Sequence, residues 1–299
     1  MQKQPYILSL ALALLALPLF ADSRPQQPSS WKEGYVIANG IRIHYWRTGG
    51  DKPPLIMAHG SSDDGLCWTS IAQELTDRFD VILPDARGHG LSDPPSQSEQ
   101  ADVQVEDLAA FIQALKLEKP ILLGHSMGSS SAAWFAARYP HVPQAVVLVD
   151  PRLVSRTPAE TTARSNNTAV EKRIASILKR NNTSYEQLVD GQMKQNPHWG
   201  VTELHFWALS KQHHHPNTAY RNSSNRPQTN ELFAKITSPT LILKADDQGE
   251  LREKNKEVAA ILKDGQLVHV EGARHSVHRD QKQRFMDALN PFLKRVSSK

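Results

Sequence analysis

Hydrophobic and polar positions alternate along the first half of the chain in a pattern that predicts strands separated by helices. Tyr35–Ala38 and Ile41–Arg47 alternate in polarity around Asn39-Gly40, which predicts a β-hairpin. Apolar runs that predict further strands follow at Leu55–Ala58, Ile121–Gly124 and Ala145–Val149, and the chain also returns to a strand at Asp80–Leu83. The continuous apolar run at Leu55–Ala58 is typical of a strand buried on both faces. Helical spacing separates these runs at Trp68–Leu75 and Val103–Leu117. The order predicts an α/β fold with a mostly parallel sheet and helices on both faces.

This rhythm stops at Pro151, and the chain stays polar until about Lys235. Apolar residues have helical spacing there only at Val170–Leu178, Tyr185–Met193 and Thr202–Leu209. A structureless loop of this length is improbable inside a compact domain, so residues 151–235 are predicted to be an inserted helical cap. The pattern then resumes at Thr240–Leu243, Glu253–Leu262, Gln266–Val270 and a last amphipathic helix. Residues 32–150 and 236–299 would together form the α/β core.

The N-terminus has the features of a secretory signal peptide. Lys3 precedes the apolar stretch Ile7–Phe20, and Ala21 offers a small residue for cleavage. We therefore expect residues 1–21 to be removed and 22–31 to be a linker. The expected protein is secreted or periplasmic, with no stable membrane insertion after cleavage. An uncleaved N-terminal anchor is the alternative.

Composition excludes some classes of partner. The formal net charge is only +4, and no Lys/Arg-rich run occurs, so we expect no nucleic-acid partner. Cys67 is the one cysteine and cannot form an intramolecular disulfide. The histidines His213–His215 lack cysteine or carboxylate ligands at zinc spacing, so we expect no metal and no other cofactor.

Gly124-His125-Ser126-Met127-Gly128 lies between the predicted strand Ile121–Gly124 and a helix-like stretch. This order is typical of a nucleophile elbow, a tight turn that presents a serine hydroxyl above the edge of a sheet. The flanking glycines fit, because no side chain can be accommodated where the backbone folds back on itself. Ser126 is therefore the candidate nucleophile.

A serine hydroxyl needs a general base, an acid that orients the base, and donors for the developing oxyanion. His275 follows the last predicted strand and is the candidate base, since His278 falls inside a helix. The acid is expected just past Thr240–Leu243, where Asp246 is favoured and Asp247 is an alternative. The N–H groups of Ser61, after the strand Leu55–Ala58, and of Met127 are the expected oxyanion donors.

Together these segments resemble the α/β-hydrolase fold family over residues 32–297. The matching segments are His59-Gly60-Ser61, the stretch from Asp85 to Ser92 (including Arg87 and His89), the serine elbow, Pro239–Leu243 and Gly272–His275. The resemblance implies that the Asp85–Ser92 stretch is mainly structural. It adds Asp150, at the end of the strand Ala145–Val149, as a third possible acid. Two residues depart from the family pattern: Ala245 replaces a glycine, and Arg274 stands beside the candidate base.

The resemblance implies an enzyme, an exported serine hydrolase that cleaves a small carboxylic ester or lactone through an acyl-enzyme on Ser126. Family members that open epoxides or remove halogens carry Asp at the elbow, so Ser126 disfavours those activities. A C–C bond hydrolase and a cofactor-free perhydrolase with the same triad are alternatives, and a non-catalytic binder is a further one.

Substrate choice is expected to depend on the cap. Trp199, His205 and Trp207 are the candidate pocket residues there, and packing of the cap onto the core is the alternative role for these aromatic side chains.

Overall fold

The computed structural model describes residues 24–220 and 226–298. Within them, eight strands form one sheet. Their bounds are Lys32–Ala38 (β1), Ile41–Arg47 (β2), Pro54–Ala58 (β3), Asp80–Pro84 (β4), Ile121–His125 (β5), Ala145–Val149 (β6), Thr240–Lys244 (β7) and Gly265–His269 (β8). The predicted signal peptide, residues 1–21, lies outside the described residues.

The strand order of the sheet is β1-β2-β4-β3-β5-β6-β7-β8. β1 and β2 form the predicted antiparallel hairpin, and β2 also pairs antiparallel with β4. Every other pairing is parallel, from β4 through β8. The predicted α/β fold with a mostly parallel sheet is therefore confirmed. All the parallel strands end at the same edge, and this edge carries the candidate site.

Apolar side chains on both faces of the sheet explain why the central strands are continuously hydrophobic. Leu55 and Met57 of β3 point into one core cluster, whereas Ile56 between them points into the other. The five residues of β6 alternate between the same two clusters and are all buried. Helices cover both clusters, so each strand is shielded from water on two sides.

The α-helices of the described residues flank the sheet or lie between β6 and β7. Their bounds are Thr69–Gln73 (α1), Val103–Ala114 (α2), Met127–Arg138 (α3), Pro158–Ser165 (α4), Asn167–Asn181 (α5), Tyr185–Gln195 (α6), Val201–Gln212 (α7), Thr229–Phe233 (α8), Gly249–Ala259 (α9), Val277–Asp280 (α10) and Lys282–Ser297 (α11). Short 3₁₀-helices occur at Gly65–Trp68 and Pro216–Ala219. None of these helices is both long and apolar enough to cross a membrane.

Helices α4 to α8 lie between β6 and β7, in the part of the chain predicted to be an insertion. Residues 151–235 are called the cap segment below. Apolar periodicity indicated α5, α6 and α7 but not α4 or α8, and α4 contains no large apolar residue. A capping box marks the start of α4, because Thr157 and Glu160 each accept the other's backbone N–H. That Thr-x-x-Glu spacing is the sequence signal by which α4 could be found.

Candidate active site

Ser126 sits at a sharp turn between β5 and α3. Its φ of 51° is in the left-handed region, which non-glycine residues rarely adopt. A Cβ on Gly124 would lie 2.4 Å from the Gly128 carbonyl carbon, and a Cβ on Gly128 would lie 2.3 Å from the Ala58 carbonyl oxygen. Both glycines are thus required for the close approach of α3 to the sheet. The turn has the geometry expected of a nucleophile elbow.

His275 joins Ser126 to a carboxylate. It lies in the loop between β8 and α10, and its Nε2 is 3.0 Å from Ser126 Oγ. Its Nδ1 is 2.5 Å from Asp150 Oδ2, which fixes the tautomer with the proton on Nδ1. The Ser126 hydroxyl therefore donates to Nε2, as a nucleophile and its base require.

Asp150 immediately follows β6 and is held from several sides. Its backbone N–H donates to the Leu243 carbonyl, and its Oδ1 accepts from Lys244 Nζ, at the end of the neighbouring strand. Burial opposes ionisation, but the hydrogen bond from His275 and the charge of Lys244 outweigh it and lower the pKa of Asp150 to about 2. The carboxylate is ionised at neutral pH and oriented toward His275.

The structure does not bring Asp246 to His275, so the prediction that Asp246 orients the base is wrong. The Asp246 carboxylate accepts instead from the Gly272 N–H at 3.0 Å and from Arg252 Nη1 at 3.2 Å. The alternative Asp247 pairs with Lys244 at 3.1 Å. β7 continues to Lys244, and in the hydrogen bonds of the described residues neither aspartate beyond it bonds His275. Asp150, the third candidate, makes the contact.

His125 is a residue that sequence reasoning did not single out, although it stands beside Ser126. It is buried, and burial together with the nearby His275 lowers its pKa to about 4, so the ring is neutral at physiological pH. Its Nε2 donates to the His275 carbonyl at 2.9 Å. The strand that carries the nucleophile thereby also fixes the loop that carries the base.

Ser61 and Met127, the predicted oxyanion donors, line the same cavity as Ser126 and His275. Met127 is the first residue of α3, and the first N–H groups of a helix have no intrahelical acceptor. The positive end of the helix dipole adds to this preference for negative charge. Both predicted donors thus belong to the wall of the cavity that contains Ser126.

A buried ion network holds the loop that follows Ser61. Lys211 of α7 donates to the Ser62 carbonyl and to Asp63 Oδ1, each at 2.6 Å. Arg279 of α10 donates to Asp63 Oδ2 at 2.9 Å. Burial opposes ionisation of Asp63, but the charges of Arg279 and Lys211 hold its pKa well below the usual range. The Asp63 carboxylate therefore links three parts of the protein: the loop that follows Ser61, α7 of the cap segment, and α10.

Lys211→Met is expected to destabilise the protein by about 1–3 kcal/mol, because buried Asp63 loses one of its two cationic partners. The Ser62 carbonyl also loses one of its two donors and keeps only Ser210 Oγ. Urea unfolding measures the change. Lys179→Met, at an exposed lysine of α5, is the matched control and should leave the free energy of unfolding nearly unchanged. Equal free energies of unfolding for the two variants would contradict a stabilising network.

The cap aromatics predicted to form the substrate pocket lie elsewhere, so that prediction is wrong for this cavity. Trp199 is buried, and its Nε1–H donates to Asp280 Oδ1 at 2.8 Å. His205 is buried and bonds the Tyr185 hydroxyl at 2.8 Å. Trp207 lies with its ring centroid 4.9 Å from Lys211 Nζ. Trp199 therefore packs the cap segment onto the core, whereas His205 and Trp207 contact other residues of the cap segment.

Arg274, the residue that departs from the family pattern, does not line the cavity either. Its guanidinium donates to Asn196 of the cap segment, and its Nη2 lies 3.5 Å from Asp280. Arg274 therefore helps to dock the cap segment onto the loop that carries His275.

The cavity above Ser126 has a volume of about 790 Å³. Core residues supply Ser126, Asp150 and His275, and the cap segment supplies much of the opposite wall, including Arg152 and Arg226. Such a cavity accommodates a small or medium organic substrate. The arrangement can attack an acyl carbon, take the proton from the nucleophile and return it to the leaving group.

The chain belongs to the α/β-hydrolase family. The model of the alpha/beta hydrolase fold matches residues 53–281, which contain the elbow, Asp150 and His275. The chain is therefore a hydrolase of this family.

Known relatives agree with this membership. The N-formylmaleamate deformylase of Pseudomonas putida is 42% identical over 119 residues, which are 40% of this chain and 44% of the deformylase, so the match spans less than half of that relative. The bifunctional esterase/perhydrolase DCH of Acinetobacter calcoaceticus is 27% identical across 87% of this chain and 99% of its own length. A thermophilic esterase from Thermogutta terrifontis shares the fold with a TM-score of 0.70 and 22% identity, over 89% of this chain and 99% of the esterase.

Proposed function

We propose that this hydrolase cleaves a carboxylic ester or lactone through an acyl-enzyme on Ser126. One observation carries the proposal: His275 lies 3.0 Å from the Ser126 hydroxyl and 2.5 Å from the Asp150 carboxylate. This is the arrangement in which a serine becomes nucleophilic at neutral pH.

The residues act in two half-reactions. Ser126 Oγ attacks the acyl carbon while His275 Nε2 takes its proton, and the N–H groups of Ser61 and Met127 stabilise the oxyanion. His275 then protonates the leaving alcohol. In the second half-reaction His275 deprotonates a water that attacks the acyl-enzyme. The bond from the acyl carbon to Ser126 Oγ then breaks, His275 returns its proton to that oxygen, and the acid is released. Asp150 holds the imidazole in the correct tautomer and stabilises its protonated form.

A panel of p-nitrophenyl acyl esters and lactones tests the proposal with purified protein. We expect turnover of short acyl esters that is lost in Ser126→Ala. Absence of turnover across the panel, with no covalent labelling of Ser126, would refute it and favour a non-catalytic binder. β-Diketones and hydrogen peroxide belong in the panel, because C–C hydrolysis and perhydrolysis use the same three side chains.

A second candidate is cleavage of an acyl–nitrogen bond. It is supported by the 42% identity with the N-formylmaleamate deformylase over 119 residues. The same acyl-enzyme applies, with His275 protonating a leaving nitrogen instead of an alcohol oxygen. Release of formate from N-formyl compounds, compared with release of acid from matched esters, distinguishes the two candidates.

We further propose that residues 1–21 direct export and are removed. Lys3 and the apolar stretch Ile7–Phe20 support this. N-terminal sequencing of protein recovered outside the cytoplasm should begin near Asp22. A sequence that begins at Met1 or Gln2 would refute cleavage, and recovery in the membrane with an intact N-terminus would favour an anchor.

A further inference from the structure

The cavity that contains Ser126 is lined by more cationic than anionic side chains. Among the described residues, its wall includes six cations, namely Arg87, Arg152, Arg156, Arg173, Arg226 and Lys244. Three carboxylates face them, namely Glu99, Asp150 and Asp247. A cavity with this excess attracts anions, since its walls raise the local potential and partly exclude water.

The three carboxylates of the wall are neutralised by only two of the cations. Glu99 pairs with Arg87 at 2.8 Å. Asp150 and Asp247 both pair with Lys244. In the ion pairs found among the described residues, neither Arg152 nor Arg226 pairs with any of these three carboxylates.

Arg226 and Arg152 are the two cap-segment arginines of the cavity wall that carry the argument. The guanidinium of Arg226 lies 5.9 Å from the centroid of the Trp134 ring. The side chain of Arg226 is exposed at the cavity wall, and partial desolvation by nearby protein atoms lowers the pKa of its guanidinium. Arg152 and Arg156 both lie in the electrostatic range of Glu160, an exposed carboxylate outside the cavity wall that caps α4 by bonding Thr157. An anion in the cavity would compensate the partly desolvated charge of Arg226.

We propose that Arg226 and Arg152 form an anion-binding subsite in this cavity, and that the substrate carries a carboxylate apart from the bond that is cleaved. The planar guanidinium suits carboxylates because it donates two parallel hydrogen bonds. This inference rests on the proposed hydrolysis at Ser126 and narrows its substrate class. The cap segment would then bind the distant carboxylate while the core performs the chemistry.

Monoethyl adipate and ethyl heptanoate test the subsite, because they are esters of similar length and only the first carries a carboxylate. We expect kcat/KM to favour monoethyl adipate, mostly through KM, and the preference to shrink as salt is added. Arg226→Gln should lower kcat/KM for monoethyl adipate by about 10- to 100-fold, the range of a charge-assisted hydrogen bond, and leave ethyl heptanoate nearly unchanged. Arg78→Gln, at an exposed arginine of the core, is the matched control.

Calorimetry separates failure of the subsite from failure of the proposed hydrolysis. Adipate should bind Ser126→Ala, and binding should weaken at least about tenfold when Arg226→Gln is added. This result supports the subsite even if neither ester is hydrolysed. Hydrolysis of ethyl heptanoate without preference for monoethyl adipate would overturn the subsite and leave the hydrolase intact. Equal binding of adipate to both variants would also overturn it.

Discussion

Asp150→Asn is expected to lower kcat by about 10³–10⁴-fold on any ester that the protein hydrolyses, by analogy with serine proteases. The amide cannot stabilise the imidazolium, and it favours the wrong tautomer of His275. The loss should appear in kcat and kcat/KM equally, because Asp150 acts on the transition state and has no role in ground-state binding. Steady-state kinetics on a p-nitrophenyl ester measures it.

Asp246→Asn and Asp247→Asn are the matched controls for this prediction. Both remove one carboxylate from the loop beyond β7, where neither side chain reaches His275. They should keep turnover close to that of the wild type. Loss of turnover in Asp246→Asn, with Asp150→Asn still active, would show that Asp246 orients the base in solution.

The pKa of Asp150 gives this prediction an independent readout. The folded value of about 2 lies below the ordinary value of 3.8, so ionised Asp150 stabilises the fold above the ordinary value. That stabilisation is lost as the pH falls from about 4 to about 2. Asp150→Asn should therefore lose less stability than the wild type over this range, as thermal unfolding at each pH would show. If the unfolding temperatures of the two proteins fell equally with pH, this would contradict an ionised, paired Asp150.

Ser126→Ala is expected to lower kcat by roughly 10⁴–10⁶-fold while the fold stays intact. Nucleophile, base and acid act as a unit, so the residual rate should match that of a variant in which Ser126, His275 and Asp150 are all replaced. Circular dichroism and thermal unfolding establish that the variant is folded.

Ser130→Ala is a matched control, because it also removes one hydroxyl from the cavity wall next to the elbow. Ser130 has no contact with His275 in the hydrogen bonds of the described residues. Its replacement should leave kcat near the wild-type value. Equal losses in the two variants would indicate that turnover depends on packing near the elbow and not on the Ser126 hydroxyl.

The nucleophile and base could be predicted from the sequence because their signals are local. The spacing of Gly124, Ser126 and Gly128 determines the turn, and the close contacts of both glycines require it. His275 is defined by its place after the last strand. The β1–β2 hairpin is similarly local, since Asn39-Gly40 lies between two runs of alternating polarity.

The acid could not be chosen from the sequence because β6 and β7 are parallel neighbours that end at the same edge. Val149 pairs with Leu243, so Asp150 and Lys244 lie side by side, and a carboxylate after either strand is near the base. The choice depends on nonlocal contacts. Lys244 binds Asp150, whereas the Gly272 N–H and Arg252 retain Asp246.

The cap aromatics illustrate a second limit of sequence reasoning. Clustered Trp and His residues are compatible with a pocket or with packing, and only their contacts in the fold decide between the two roles. Trp199 bonds Asp280 of α10 and therefore packs the cap segment onto the core. The cap-segment arginines that line the cavity carry no periodic signal in the sequence, so the fold alone shows that they face the same cavity.

Mass spectrometry of protein treated with a fluorophosphonate tests the central claim most directly, because such probes label only a serine that a base has activated. We expect one adduct per chain, on the peptide that contains Ser126, and no adduct in His275→Ala. Asp150→Asn should be labelled much more slowly than Asp246→Asn. Labelling at another serine, or labelling of Ser126 that persists at the wild-type rate in His275→Ala, would contradict the assignment of Ser126, His275 and Asp150 as one catalytic unit.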